Sequence, residues 1–373
     1  MEKNLTSAQA GLPPVGSPAA PRAAVFAGGA ARSLASDGRK WVFLALALAA
    51  TLALAAVTSL MGAYRITLED VWRVIAAHVF GGDVAALDRL YNTIVWEIRL
   101  PRIALVIVVG VAIASSGAVY QGAFRNPLVE PFILGVSAGA SLGAALGIVF
   151  PQFFLSVQVG AFVFALLAVG LAYLLARVEG KTPVVTLILA GVIISALFQS
   201  VVSIMKYISD DQALRAIVFW TLGGFYYASW RDVTSLTPVI AACFAALWLM
   251  GWRLNVLSMG DEEARALGVD PDRLKLILIV LSTLMTALAV SAVGIISWVG
   301  LMMPHATRLI LGPDNRFVIP ASGILGAALL LVCDTIARTL TTAEIPIGII
   351  ISIIGAPYLF YLLRAKGRYT LGG

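Results

Sequence analysis

The densest group of side chains able to do chemistry lies between Ser258 and Lys275, SMGDEEARALGVDPDRLK, where 8 of the 46 formally charged residues occupy 18 positions. The flanking runs, 233–252 and 276–297, are almost uncharged, so this island must lie in water between two apolar elements. Asp261, Glu262 and Glu263 stand where a helix N-terminus favours acids, and Gly268 stands where a helix stops. Asp270-Pro271 then opens the next helix, with Pro at an early position where its missing N–H costs little. Such a compact, capped, two-part structure fits a protein partner; a plain solvated loop is the alternative.

Other candidate chemistries fail on spacing. A membrane enzyme needs convergent acids, bases or metal ligands, and His78 and His305, far apart in sequence, do not supply them. His78 reads as a surface residue and His305 as a packed or hydrogen-bonded one. Gly180-Lys181-Thr182 is not a phosphate-binding loop, because the position that must hold the first Gly is Leu175, inside an apolar run. No nucleotide, metal or cofactor site of the chain's own is therefore expected. Cys243 and Cys333 fall in separate apolar runs and read as packing residues.

Four further patterns carry information. Gly135, Gly139, Gly143 and Gly147 recur every four residues, the spacing that lets helices in lipid approach backbone to backbone. Gly191, Ser195, Gln199, Ser203 and Tyr207 repeat the same step, and a polar face in a span looks into protein or water. That face lines a pathway or makes interhelical hydrogen bonds. Arg99 and Arg102 head a span, where arginines snorkel to headgroups or meet an acidic partner. Asp334 and Arg338 are spaced for an i, i+4 ion pair, and docking is the sharper reading of Arg338.

The elements that must position these residues follow from composition. With 60% hydrophobic and 12% charged residues, the chain is a polytopic membrane protein, all-α. Runs of about 20 apolar residues mark spans at Val42–Gly62, Ile103–Tyr120, Phe132–Val149, Val157–Leu175, Val184–Met205, Val233–Met250, Leu276–Ile296, Phe317–Ala337 and Ile347–Leu363. The shorter Trp298–Leu311 brings the helices to ten, with Pro304 near its start. An even number of crossings puts both termini on one side, and 17 of the 26 Lys and Arg residues then fall on it, making it cytoplasmic. The net charge of +6 follows from this inner excess and does not indicate nucleic-acid binding. Residues 1–40 read as a disordered cytoplasmic tail, 41–367 as the membrane domain with the loop 258–273, and 368–373 as a short cytoplasmic tail. The segment from Thr67 reads as an amphipathic helix on the outer surface, with Leu68, Val71, Trp72, Ile75 and Val79 on one face. The segment 219–224 reads as a second interfacial element.

Eight motifs in order, RLPR, GAxxQGxFRNPLVEPFILGVSAGA, LILAG, FWTLGGF, GDEEARALGV, GLMMPHATRL, DTIAR and AEIPIGIIISIIGAP, resemble the FecCD family of binding-protein-dependent ABC importer permeases, over about residues 41–367. The resemblance implies a type II importer fold in the cell inner membrane and a homodimer with ten helices per subunit. It also implies a path along the dimer axis lined by the fifth helix, the one carrying Gly191 to Tyr207. Two cytoplasmic ATPases would carry ATP and Mg, and one periplasmic binding protein would cap the outer face. By motif, Gly260, Asp261, Glu262, Glu263, Ala264, Arg265, Ala266, Leu267 and Gly268 would form the coupling helix that fits the ATPase. Arg99, Arg102 and Arg338 would meet acidic residues of the binding protein, and Leu128, Val184 and Val185 would form the inner gate. Cobalamin permeases have small hydroxyl residues at the last two positions, so the valines point to a gate closed by apolar contact and dewetting.

The expected function is the permease subunit of an ATP-driven importer for a metal chelate: iron–siderophore, haem or cobalamin. The alternatives are an oxyanion such as molybdate as cargo, or a secondary transporter driven by an ion gradient. The second needs ionisable groups at mid-membrane, whereas the charges here sit near the span ends.

Overall fold

The computed structural model describes residues 36–370 apart from 63, 83–87, 154, 178–181 and 342. The tail expected over 1–40 therefore lies almost wholly outside the described residues.

The chain enters through α1 (Asp37–Leu60), a long apolar helix with most of its surface exposed. Thr67 and Asp70 then form a reciprocal cap on α2 (Leu68–Val79), each side chain accepting from the other's backbone N–H. Helix α2 buries Val71, Val74 and Ala77 and exposes Leu68, Trp72 and Val79. The expected apolar stripe is thus divided, one side on the protein and the other free for a lipid surface.

Next come α3 (Arg89–Asn92), a π-helical segment (Thr93–Arg99) and α4 (Leu100–Ala123), which run on as a single apolar rod of 35 residues. The RLPR motif lies inside this rod, not ahead of a span. Pro101 has no N–H for the carbonyl four residues back, and its ring crowds that carbonyl. A widened turn just before it relieves both problems, so the helix passes through. Helix α4 is buried along almost its whole length. A methyl on Gly110 would approach the Ala327 Cα to 2.6 Å, and one on Gly117 would strike the Gly300 carbonyl.

The third span was expected from Phe132, but α5 (Val136–Val149) starts four residues later, behind Gly135 at φ 92°. Pro131 and the left-handed Gly135 hold residues 126–135 out of helix. Fourteen residues rise only about 21 Å. The irregular segment that makes up the depth is tolerated because protein covers it: Pro131 packs against Gly300, and Val129 and Leu134 are buried.

Helices α6 (Val157–Ala176), α7 (Val184–Ile208), α8 (Asp211–Leu222), α9 (Trp230–Leu249), α10 (Gly251–Met259), α11 (Asp261–Ala266), α12 (Pro271–Val293), α13 (Val299–Leu311), α14 (Asn315–Thr339) and α15 (Ile347–Thr370) complete the chain. Among the described residues seven helices are long and apolar enough to cross a membrane: α1, the α3–α4 rod, α6, α7, α9, α12 and α14. With α5, α13 and α15 they correspond to the ten expected from sequence. Helix α15 continues to Thr370, through the start of the expected C-terminal tail. Pro304 is not near a helix start but inside α13, five residues on from Val299. Its missing N–H frees the Gly300 carbonyl, which the Gln121 side-chain amide approaches at 3.5 Å. The segment 219–224 is the end of α8 followed by a tight turn, where the Gly224 N–H donates to the Val293 carbonyl at 2.8 Å.

One end of the bundle gathers the end of α4, the start of α7, α10, α11 and the starts of α12 and α14. Asn255 on α10 donates to Asp314 ahead of α14 at 2.7 Å, and Arg316 reaches Asp37 on α1 at 3.6 Å. The first described residues thus share an end with the charged island.

Candidate functional site

Helix α11 is a six-residue helix stopped by Gly268 at φ 78°, and Asp270 caps α12 through the Asp272 and Arg273 N–H groups at 3.0 and 3.2 Å. The island divides into an inward and an outward side. Inward, Ala264 is buried, and Asp261 pairs with Lys275 Nζ at 2.6 Å and Arg125 Nη2 at 3.4 Å. Arg265 pairs with Asp272 at 3.1 Å. Outward, Glu262, Glu263, Ala266 and Leu267 are exposed, Leu267 at 55%. Two acids beside an exposed leucine form a small amphipathic face with nothing among the described residues covering it, as a docking surface requires.

The inner-gate candidates lie next to this island. One open cleft is lined by Arg125, Pro183, Val184, Val185, Asp261 and Lys275, so the base of α7 and the base of α11 share a wall. Val185 is 77% exposed and Leu128 57%, whereas Val184 is partly covered.

The path candidates on α7 separate by depth. Gly191 packs under the 131–135 turn, where a methyl would lie 2.8 Å from the Leu134 Cα. Ser195 is partly buried, and Gln199, Ser203 and Tyr207 are exposed, Tyr207 at 90%. The Ser195 and Ser203 hydroxyls donate within α7, to the carbonyls four residues back, at 2.7 and 2.9 Å. Ser195 and Gln199 join Ser137, Ser141 and Thr221 in an open polar groove. The glycine stripe packs α5 on its neighbours. Gly139 and Gly143 face the Phe164 and Gly160 carbonyls of α6, Gly147 faces Val157, and Gly135 faces Ser195 of α7.

At the opposite end the arginines are neither snorkelling nor free. Arg99 is buried and donates to the Ser59 and Tyr64 carbonyls at 2.7 and 2.5 Å. Arg102 is buried between two carboxylates, pairing with Asp334 at 2.8 Å and Glu344 at 2.9 Å. Arg338 lies 3.7 Å from Asp334, the expected pair, and donates to the Met61 and Thr58 carbonyls at 2.8 and 2.6 Å. Sequence reasoning missed Glu344 and the Arg102–Asp334 bond. The available signal was an acid in each of two apolar segments, with arginines lacking an assigned partner.

Glu130 was also missed. It is partly buried within the 126–135 segment, with its carboxylate near the Trp298 backbone N–H, at the break between α12 and α13. His78 lies on α2, stacked on Trp96 at 3.9 Å, with Nε2 2.7 Å from the Asn92 Oδ1. His305 is partly buried on α13. Among the described residues no three His, Cys, Asp or Glu side chains gather in a way that could hold a metal ion.

An all-helical membrane bundle with an exposed acidic face at one end, a cleft beside it and a groove with polar lining along one span fits a transport permease. Residues 45–365 match the FecCD transport family, and the chain belongs to it, as a transmembrane permease subunit of an ABC importer. It is 44% identical over 276 residues to the cobalamin import system permease protein BtuC of Halobacterium salinarum, covering 74% of each chain. It is 35% identical over 321 residues to the molybdate import system permease protein MolB of Haemophilus influenzae, covering 85% of this chain and 94% of that one. A solved structure described as an inward-facing conformation of a proposed metal-chelate type ABC transporter superposes with a TM-score of 0.75 at 35% identity, covering 87% of this chain and 98% of that one.

Proposed function

We propose that this permease imports a bulky metal chelate, an iron–siderophore, haem or cobalamin, across the inner membrane as a homodimer driven by two ATPases bound at its α11 helices. The island end and both termini face the cytoplasm, and a periplasmic binding protein delivers cargo at the Arg102 end. ATP and Mg belong to the ATPases.

The observation that carries this reading is the uncovered Glu262–Glu263–Leu267 face, set beside the cleft that also contains Val184 and Val185. A motor acting on that face stands one ion pair from the gate. ATP binding draws the two ATPases together, the α11 helices move with them, and the α7 helices switch between discrete packings that open the groove to one side or the other. The apolar side of α7, with Leu189, Ile193 and Leu197 exposed in the single subunit, suits contact with a second copy. At the far end Asp334 neutralises the inner side of Arg102, and the partly exposed Glu344 covers its outer side. A carboxylate of the binding protein would take the place of Glu344.

A chelate is favoured as cargo by the greater identity to a cobalamin permease than to a molybdate permease. Cobalamin therefore stays among the cargoes, although Val184 and Val185 lack the hydroxyls that the resemblance associates with it. Co-purification of the full chain with its co-expressed ATPase tests the coupling role. Glu263→Arg and Leu267→Asp should each abolish association while leaving the permease folded. Intact association and uptake in both variants would refute the assignment of α11.

A further inference from the structure

Resting on the assignment of α11 to the ATPase, we infer that Asp261 is the joint between motor and gate, with Lys275 as its anchor and Arg125 as its output to Leu128. The two oxygens of one carboxylate divide the labour. Oδ2 lies 2.6 Å from Lys275 Nζ, whose side chain is only 9% exposed. A buried ammonium is stable only with its counter-ion in place, so the start of α11 and the first turns of α12 move as one body.

Oδ1 faces Arg125 at 3.4 Å, and both of these groups are partly in water. That pair is weaker and able to open. Arg125 stands two residues beyond the end of α4, the helix that Gly110 and Gly117 lock into the bundle, and it has φ 51°, a left-handed conformation that side chains other than Gly seldom adopt. Directly after it, Asn126 Oδ1 accepts from the Leu128 N–H at 2.9 Å. This closes a tight turn in which Leu128 must follow Arg125. A pull on Asp261 thus has a rigid route into α12 and a hinged route into the gate turn, while Val184 and Val185 wait across the same cleft.

The test reads the gate itself and needs no cargo. The full chain carrying Leu128→Cys is assembled with its co-expressed ATPase in membrane vesicles. It is labelled from the island side with a membrane-impermeant maleimide, with and without ATP and vanadate. Cys243 and Cys333 are buried and give little background. With Arg125 present, labelling should change by about tenfold between the two conditions, the shift expected of a two-state gate biased by nucleotide. Adding Arg125→Gln should remove that dependence while ATPase association and hydrolysis persist, and Arg125→Lys should restore it.

Retained nucleotide dependence in Arg125→Gln would overturn the inference. Loss of ATPase association in that variant would also overturn it, since Arg125 would then be a docking residue. If the unsubstituted chain captures no ATPase, the coupling role of α11 itself fails and this inference fails with it, a result distinct from either of the others.

Discussion

A guanidinium held between a deep and a shallow carboxylate can exchange only the shallow one, and Arg102 is in that position. Asp334 is almost fully buried and Glu344 about one-third exposed. Asp334→Asn leaves a buried cation short of its main partner and should destabilise the permease by about 3–5 kcal/mol, read as a large fall in thermal midpoint in detergent. Glu344→Gln should change stability by less than about 1 kcal/mol. It should also tighten binding-protein association in a titration, because the internal competitor is gone; weaker association would contradict the exchange. Part of this cluster was legible: Asp334 and Arg338 are four apart on a helix, and such a pair can be read from spacing. Arg102 and Asp334 are 232 residues apart, and no local pattern links them. His78 shows the same limit, since its stacking on Trp96 depends on where the π-helical turn puts that ring.

At the scale of elements, the order of the apolar helices followed from apolar run length, because lipid leaves few alternatives to helix. Starts and irregularities did not, and each has a local cause. Pro101 sits inside a helix because a π-helical turn absorbs it, Pro304 because a neighbouring side chain approaches the freed carbonyl. Helix α5 begins late because residues 129–135 are mostly covered by protein and need not be helical. The four-residue glycine step gave both a close-packed face and its turning from one neighbour to another. It makes a paired prediction on thermal stability. Gly143→Val drives side-chain atoms into the Gly160 backbone and should cost about 3 kcal/mol or more, read as a large loss of thermal midpoint. Gly170→Ala, on a stretch of α6 with nothing within 4 Å of the added methyl, should be neutral or stabilising by up to about 1 kcal/mol. Equal effects would mean that α5 and α6 are not packed through this stripe.

For the whole molecule, the division into a charged end and an arginine end was readable from the charge distribution. The internal wiring between them was not. The island reads as solvated in sequence, yet its inward side is ion-paired to α12 and to the turn after α4. This division of one short helix gives the bundle a place where an outside force can enter and an adjacent gate on which it can act. Uptake into proteoliposomes holding the full permease and its ATPase tests that claim most directly. The binding protein is supplied with cyanocobalamin, haemin or a ferric siderophore in turn, with ATP on the island side. We predict uptake of at least one chelate that requires both ATP and the binding protein and is abolished by Leu267→Asp. Uptake that proceeds without ATP, follows an imposed ion gradient or survives Leu267→Asp would contradict the account.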